Sequence, residues 1–412
     1  MGKTIHQREV EVLRVLVVTG ANLKKNESAN LSHVAFIKGF YDLGYDVTVI
    51  SKCTNADIID ESISLPDEVD WRQYKTSRLY RYISKEKRNS INVEEMKEKK
   101  SLKTVAYIKI REFVKWLYGV YGFNNIWIKN TVNGFKDTKE YDLMLSISTP
   151  PESHEAAYQL RKKGKVKCKV FAEIWEDPWQ LDIYNGNPNK KMLEVEKLIT
   201  SYADKVFYVS PLTLNYQKQQ FPETSERMDW IPLASYYESE FVNVKGYSYG
   251  YFGAYFPNAR NLRPFYEVAR EIGIELHICG SPSYLFEPTS HIHICDRLPL
   301  EELKVYEDKT NVLVFVCNLR GGQIPGKIYQ YAATNKKVLF ILDGTEEEKK
   351  ILKEYFARFN RFYFCENEKD SIKKTISFLE NDSDISKVTP LHDFAPSEIA
   401  KRIIKKCDLL SI

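Results

Sequence analysis

The sequence predicts an α/β protein built from two doubly wound domains with parallel sheets. Short apolar, β-branched runs typical of buried strands alternate with amphipathic stretches of helical spacing. Strand-like runs at residues 13–19 and 45–50 enclose one such helix, and the same order resumes at residues 249–252 and 312–316. At 412 residues, the chain is long enough for two units of this kind.

A polar stretch near residue 240 separates the two series of strands and helices. We therefore expect a first domain at residues 1–240 and a second at 246–392. Residues 393–412 have the pattern of an amphipathic helix, which we expect to cross back over the first domain.

The composition supports two hydrophobic cores and argues against several classes of protein. Hydrophobic residues make up 43% of the chain, and the seven cysteines show no C-x-x-C spacing, which indicates a reducing compartment and no zinc site. No apolar run approaches the ~18 residues that a membrane-spanning helix needs. We expect a cytoplasmic protein without a bound metal or cofactor and without a nucleic-acid partner.

The first strand is followed by Gly20, a polar loop and a helix that carries Val34, Ile37 and Phe40 on one face. This βαβ opening lacks the G-x-G-x-x-G pattern, so the sequence gives little support for nicotinamide dinucleotide binding.

The segment from Arg72 to Lys115 is strongly basic. It holds 14 Lys and Arg against 5 Glu, a net charge of +9, so the remainder of the +4 chain carries −5. Residues 102–120 within and after it have an amphipathic helical pattern with aromatic side chains. Such a helix can lie on an anionic membrane, or it can pack on its own sheet with a solvated charged face.

Polar side chains follow two successive strands of the first half. His154 comes shortly after the strand at residues 141–148, and Glu176 and Asp177 follow the strand at residues 170–174. The carboxyl ends of parallel strands share one sheet edge, where ligands bind in open α/β sheets. His154 is a candidate base or hydrogen-bond donor to a sugar hydroxyl, or only a helix-start residue, and the two acids can bind hydroxyl groups of a ligand or cap the next element.

The stretch at residues 311–343 has the pattern strand, glycine loop, helix, strand. Pro325 is expected at the first helical position, where free N–H groups favour a phosphate. Arg320 and Lys327 flank that point, and Gln330 lies on the same helix face, where its amide can meet a sugar diol. The alternative is an ordinary crossover whose glycines only make a turn. The G-x-x-x-x-G-K spacing at 321–327 is no nucleoside triphosphatase loop, because Ile328 replaces the magnesium-binding hydroxyl.

In this order, four segments resemble GT-B glycosyltransferases, specifically the glycosyltransferase family 4-like enzymes of bacterial surface polysaccharide synthesis. YDLMLSISTPPESHEAAYQL resembles the family's "yDvi-S-s-PP" segment, and VFAEIWEDPW is similar to "i-D-RDPW". ADKVFYVS resembles "AD-v--vS", and IPGKIYQYAATNKKVLFI resembles "iP-K-yEYla-gkPvl". The resemblance implies two Rossmann-like domains facing a central cleft, with the sugar nucleotide in the C-terminal half and the acceptor in the N-terminal half.

With this resemblance we expect His154, Asp177 and Glu176 on the catalytic side of the cleft. The expected donor-binding residues are Gly20, Gly253, Arg260, Gly280, Arg320, Pro325, Gly326, Lys327 and Gln330. Three positions depart from the family, which usually has Glu at 330, often an acid at Gly322, and Arg at Glu176.

The leading hypothesis is a hexosyltransferase that uses a UDP- or GDP-linked donor and a glycan or polyprenyl-linked acceptor at the inner face of the cell membrane. Retention of anomeric configuration is implied by the resemblance alone. The alternatives are a UDP-N-acetylhexosamine 2-epimerase and a non-catalytic GT-B-like partner subunit. The departures at Gln330 and Gly322 favour the partner subunit.

If the basic segment binds a membrane, it should do so through charge. Each Lys or Arg near an anionic surface contributes about 1 kcal/mol. Charge reversal at Lys103, Arg111 and Lys115 should therefore abolish sedimentation with anionic liposomes and leave nucleotide binding unchanged. High salt should release the unmutated protein. A wild-type protein that ignores anionic liposomes at low salt would show that this segment is an ordinary solvated face.

Overall fold

The computed structural model describes residues 12–53, 59–77, 119–179, 190–236 and 246–409. The expected basic helix with Lys103, Arg111 and Lys115 lies outside these residues, as does the polar stretch at 237–245. Within the described part, no helix combines the length and the apolar character that crossing a membrane requires.

The first domain is built on a parallel sheet in the order β3-β2-β1-β4-β5-β6-β7. Its strands are β1 Arg14–Thr19, β2 Asp46–Lys52, β3 Asp70–Tyr74, β4 Glu140–Ser148, β5 Lys167–Trp175, β6 Lys205–Tyr208 and β7 Met228–Trp230. The described helices between them are α1 Ser28–Asp42, α2 Asn124–Gly134, α3 Glu152–Lys162, α4 Lys190–Tyr202 and α5 Pro211–Gln220. A 3₁₀ turn, Pro222–Arg227, leads into β7.

The second domain repeats this plan with the sheet order β10-β9-β8-β11-β12-β13. Its strands are β8 Ser248–Phe252, β9 Glu275–Cys279, β10 Ile292–Cys295, β11 Val312–Val316, β12 Lys337–Leu342 and β13 Phe362–Glu366. Its helices are α6 Arg263–Ile272, α7 Leu300–Asp308, α8 Lys327–Ala332, α9 Glu346–Ala357 and α10 Lys369–Asn381, and α11 Pro396–Lys406 follows.

Each sheet reverses its direction of growth beside its first strand. The first sheet grows from β1 toward β2 on one side and toward β4 on the other, and the second grows likewise from β8 toward β9 and β11. Ligands of open α/β sheets bind outside the carboxyl ends of the strands at this reversal. The predicted doubly wound architecture is confirmed, and it points to the loops after β1, β4, β8 and β11.

The last helix, α11, packs on α1 of the first domain. A side chain at Gly39 of α1 would overlap the backbone carbonyl of Pro396 and come within 3.2 Å of the Ala400 Cβ. Ion pairs of Lys205 with Asp408 (3.1 Å) and of Lys406 with Asp229 join the same segment to the first domain. The end of the chain therefore ties the second domain to the first.

Because this contact leaves no room for a methyl group, Gly39→Ala should destabilise the protein by about 1 to 3 kcal/mol, the usual range for overpacking. Chemical denaturation followed by circular dichroism measures the loss. Gly253→Ala is the matched control, because the nearest heavy atom to its new Cβ is the Tyr251 hydroxyl at 3.9 Å. Equal stability of Gly39→Ala and wild type would mean that the two helices do not pack this closely.

Candidate functional site

The carboxyl edge of the first sheet carries a group of polar side chains in close packing. Gly20 follows β1, and its N–H donates to the Ser153 hydroxyl at 2.7 Å. A Cβ at Gly20 would lie 3.0 Å from the Glu152 Cγ and 3.1 Å from the Pro150 Cγ. Gly20 therefore lets the loop after β1 approach the start of α3.

His33 lies on the buried face of α1 beside this edge. Its Nδ1 is 2.8 Å from the Thr19 hydroxyl, and its Nε2 is 3.8 Å from the Glu176 Oε1. Neither His33 Nε2 nor Glu176 Oε1 has a hydrogen-bond partner. Burial lowers the pKa of His33 to about 3 and raises that of Glu176 well above its usual value. Burial thus disfavours the charged form of each group.

His154 is fully buried on the same side. Its Nδ1 is 2.7 Å from the Ser146 hydroxyl, its ring stacks on Trp175 at 4.1 Å, and its Nε2 has no hydrogen-bond partner. Burial lowers the pKa of His154 well below its usual value, and the neighbouring His33 adds to the effect. His154 and Glu176 thus lie within the edge, with His33 beside them, and neither is on the open surface.

Asp177 is the one of the three predicted catalytic residues that lies at the boundary between the domains. Its Oδ2 accepts a hydrogen bond from the Thr149 hydroxyl at 2.8 Å, and its Oδ1 accepts one from the side-chain amide of Gln323 in the second domain. The strand ends were predicted to meet at this edge, and the contact between Thr149 and Asp177 shows them meeting. The Gln323 contact was not predicted, because nothing in the sequence relates positions 177 and 323.

The loop between β11 and α8 reaches the first domain through Gly322. The carbonyl oxygen of Gly322 accepts hydrogen bonds from the hydroxyls of Ser210 (2.6 Å) and Thr213 (3.5 Å). Gly322 has a φ of 66°, and a Cβ there would lie 2.9 Å from the Leu212 Cβ. Both the left-handed backbone and the close approach require glycine. An acidic side chain, which the family often has here, does not fit this arrangement.

The start of α8 differs from the prediction. The helix begins at Lys327, so Pro325 lies two residues before its first residue and does not occupy it. The N–H groups of Ile328 and Tyr329 already donate to the carbonyls of Pro325 and Gly326. The helix also has only six residues, so its dipole is small. Any phosphate binding here would depend on side chains more than on free helix N–H groups.

Lys327 and Gln330 both lie on α8 but have different surroundings. The Lys327 side chain is 30% exposed, and its Nζ is 3.8 Å from the Glu307 Oε1. Gln330 is mostly buried, and its Oε1 accepts a hydrogen bond from the Tyr236 N–H at 2.7 Å. A Cβ at the neighbouring Gly326 would lie 3.1 Å from the Ser28 hydroxyl of the first domain. Gly326 and Gln330 therefore lie against the first domain.

The other predicted donor-binding residues lie on the loops that follow β8, β9 and β11. The backbones of Gly253 and Gly280 are in contact, and a Cβ at Gly280 would overlap the Gly253 carbonyl. Arg260 donates to the Asn318 Oδ1 at 2.8 Å and to the Ala254 carbonyl at 2.9 Å, which orients its guanidinium beside the β11–α8 loop. Arg320 on that loop is exposed.

Two further acids lie buried beneath the first sheet. Glu173 accepts a hydrogen bond from the Trp175 indole N–H at 2.8 Å, but its other oxygen has no hydrogen-bond partner, and neither carboxyl oxygen of Glu196 has one. Burial raises the pKa of each carboxyl to about 8. Both acids are fully buried, so neither is open to a ligand at the sheet edge.

The arrangement combines a buried polar layer with ionic groups at its rim. His33, His154 and Glu176 form the layer, and Asp177 belongs to the first domain and Lys327 to the second. Such a site can hold a diphosphate near Lys327 and orient a hydroxyl at Asp177. Across the described residues, no three His, Cys, Asp or Glu side chains are placed to bind a metal ion.

Comparison with known proteins identifies the fold. No protein-family model matches the sequence, and a comparison with curated proteins finds no match. Sucrose-phosphate synthase from Thermosynechococcus elongatus has a TM-score of 0.56 and 13% identity, over 96% of this chain and 95% of that one. A glycosyltransferase from Rickettsia africae ESF-5 has a TM-score of 0.54 and 11% identity, over 97% and 99% of the two chains.

The same fold occurs in a different class of enzyme. UDP-GlcNAc 2-epimerase from Methanocaldococcus jannaschii has a TM-score of 0.51 and 10% identity, over 95% of this chain and 99% of that one. At such identities the likeness concerns the fold alone. The predicted GT-B architecture is thereby confirmed.

The buried acids predict how stability changes with pH. Between pH 6.5 and 8 the folded protein keeps protons on Glu173 and Glu196, whereas the unfolded chain releases them at about 4.5. Stability should therefore fall as pH rises through this window, by up to about 1.4 kcal/mol per pH unit for each carboxyl. Glu196→Gln should remove one such contribution, as measured by urea unfolding at pH 6.5 and 8.0.

Glu194→Gln is the control, because Glu194 is an exposed residue of the same helix. As the pH falls through about 6.5, the unfolded chain also takes up a proton on His33, which opposes this trend and lowers the slope, so the comparison stays above that pH. Identical pH slopes for Glu196→Gln and wild type would show that the Glu196 carboxyl does not keep its proton in the folded state.

Proposed function

We propose that the protein is a glycosyltransferase that takes a hexose from a UDP- or GDP-linked donor held by the second domain. The acceptor is a hydroxyl group bound at the carboxyl edge of the first sheet. The observation that carries the proposal is the contact between Gln323 and Asp177. It brings the loop that precedes Lys327 against the edge that bears the acceptor-side carboxylate.

The chemistry follows from where charge develops. When the bond between the sugar and the diphosphate breaks, negative charge grows on the leaving diphosphate, and Lys327 with Arg260 would stabilise it. Asp177 would accept a hydrogen bond from the acceptor hydroxyl and take up its proton as the new glycosidic bond forms. Binding of the acceptor at Asp177 requires that Gln323 give up its hydrogen bond, so the domains would separate slightly before the substrates enter.

The buried layer behind Asp177 fits this role. Burial disfavours the charged forms of His33, His154 and Glu176, and an uncharged layer neither attracts a counterion to the edge nor opposes the arriving diphosphate. Gln330 would hydrogen-bond to the ribose of the nucleotide. It would take the place of the Glu that family 4 enzymes usually have at this position, but without its charge.

The finer assignments rest on the resemblance to family 4 enzymes. On that basis the proposal includes a glycan or polyprenyl-linked acceptor and retention of anomeric configuration. It also includes a role in surface polysaccharide synthesis at the inner face of the cell membrane. The basic segment at 72–115 would supply the membrane contact.

One alternative is a UDP-N-acetylhexosamine 2-epimerase, which the shared fold of the Methanocaldococcus jannaschii enzyme favours. The two activities give different products from UDP-N-acetylglucosamine. A transferase with water as acceptor releases UDP and free sugar, whereas an epimerase accumulates the 2-epimer of the sugar nucleotide. Proton NMR of the reaction distinguishes them.

Two measurements test the proposal: turnover of the donor by the wild type, and diphosphate binding by one variant. The wild type should slowly release nucleoside diphosphate from one member of a panel of UDP- and GDP-sugars. Lys327→Ala should weaken binding of that diphosphate by about one to two decades, because a charge-assisted contact contributes about 1.5 to 3 kcal/mol. Isothermal titration calorimetry measures the affinity.

Two further variants separate charge from stability. Lys327→Arg keeps the cation near Glu307 and should retain most of the affinity, while Lys304→Ala, an exposed residue of α7, should leave it unchanged. An affinity of Lys327→Ala within twofold of wild type would contradict the assignment of Lys327. If no donor of the panel binds or turns over, the chain is a non-catalytic partner subunit rather than a transferase.

A further inference from the structure

A second pocket lies where the two domains and the last helix meet, and it shares no lining residue with the candidate site. It has a volume of about 410 Å³, within the usual range for small-molecule sites. It is lined by Trp230, Ile231, Pro232, Tyr355, Arg358, Phe359, Asp393, Arg402 and Lys406. We call it the junction pocket.

Its residues come from three separate parts of the chain. Trp230 ends β7 at the edge of the first sheet, Tyr355 lies on α9 of the second domain, and Arg402 lies on α11. The rings of Trp230 and Tyr355 meet edge to face with centroids 4.8 Å apart. A molecule in the junction pocket would therefore contact both domains at once.

The walls of the junction pocket are aromatic. The Tyr355 ring also packs against Phe359, with centroids 5.7 Å apart, and Pro232 adds an apolar surface. Aromatic side chains arranged in this way favour a flat apolar group, which they can contact by face or by edge.

The charge of the lining is positive. Arg358, Arg402 and Lys406 contribute three cations against the single carboxylate of Asp393. Arg402 is paired with Asp393 at 3.5 Å, and Lys406 is paired with Asp229. For Arg358, no carboxylate of the described residues lies within ion-pair distance.

The Arg358 guanidinium is held in place by its surroundings. Its Nε donates to the Tyr355 carbonyl at 3.0 Å, and its Cζ lies 4.6 Å from the centre of the Tyr355 ring. A guanidinium oriented by an aromatic ring keeps its remaining N–H groups for a phosphate or carboxylate, which it binds in a bidentate manner.

From these contacts we propose that the junction pocket binds an aromatic anion, a flat ring system that carries a phosphate or similar group. The ring lies among Trp230, Tyr355 and Phe359, and the anionic group contacts Arg358 and Arg402. Because such a ligand bridges the two domains, its binding stabilises their packed arrangement.

Calorimetry with 1-naphthyl phosphate tests the site, with inorganic phosphate and 1-naphthol titrated separately as the two halves of the probe. The wild type should bind 1-naphthyl phosphate with a dissociation constant of about 0.1 to 1 mM and each half more weakly. Arg358→Gln should weaken binding about tenfold or more. Asp393→Asn should tighten it, because it removes the one lining carboxylate and releases Arg402.

Lys353→Gln is the matched control, because Lys353 is exposed on the same helix and does not line the pocket. The readout is binding of 1-naphthyl phosphate, so the result does not depend on the proposed transferase activity. The proposal fails if the wild type shows no saturable binding up to about 10 mM. It also fails if Arg358→Gln and Asp393→Asn both bind the probe like the wild type.

Discussion

The approach of the β11–α8 loop to the first domain is the contact on which the candidate site depends. The Gly322 carbonyl lies against the hydroxyls of Ser210 and Thr213, and only glycine fits beside Leu212 with this backbone. This contact brings the next residue, Gln323, within hydrogen-bond distance of Asp177. Without it, Asp177 and the β11–α8 loop would belong to separate surfaces.

Burial disfavours charge on the polar groups behind that contact. A dry environment disfavours the charged form of His33, His154 and Glu176 alike, although one type of group is a base and the other an acid. Lys327 and Arg260 are cations of the second domain. A diphosphate entering the site would meet these cations in surroundings of low dielectric constant, where their effect is strongest.

The described residues join the two domains through contacts of different character. Beside the candidate site the domains meet through hydrogen bonds, such as those of Gln323 and Gln330, and through the close approach of Gly322 to Leu212. At the junction pocket they meet through aromatic packing and through α11, whose approach to Gly39 admits no side chain. Hydrogen bonds of the first kind are easily exchanged for bonds to water or substrate, whereas the close packing of the second kind is lost only at larger cost. The structure is therefore expected to open at the candidate site while it stays closed at the junction.

The sequence alone determined the architecture, because apolar periodicity is a local property and the parallel order of strands and helices follows from it. It also determined that the residues after β4 and β5 share an edge, and the contact of Thr149 with Asp177 follows from that rule. The sequence did not reveal that His33 lies beside Glu176, since a histidine on a helix face gives no indication of which residue packs against it. Nor did it reveal that α8 begins after Pro325, or that Gln323 and Gln330 bond across the boundary. Those contacts join residues far apart in the chain, and only the packing of whole domains decides which distant side chains come within hydrogen-bond distance.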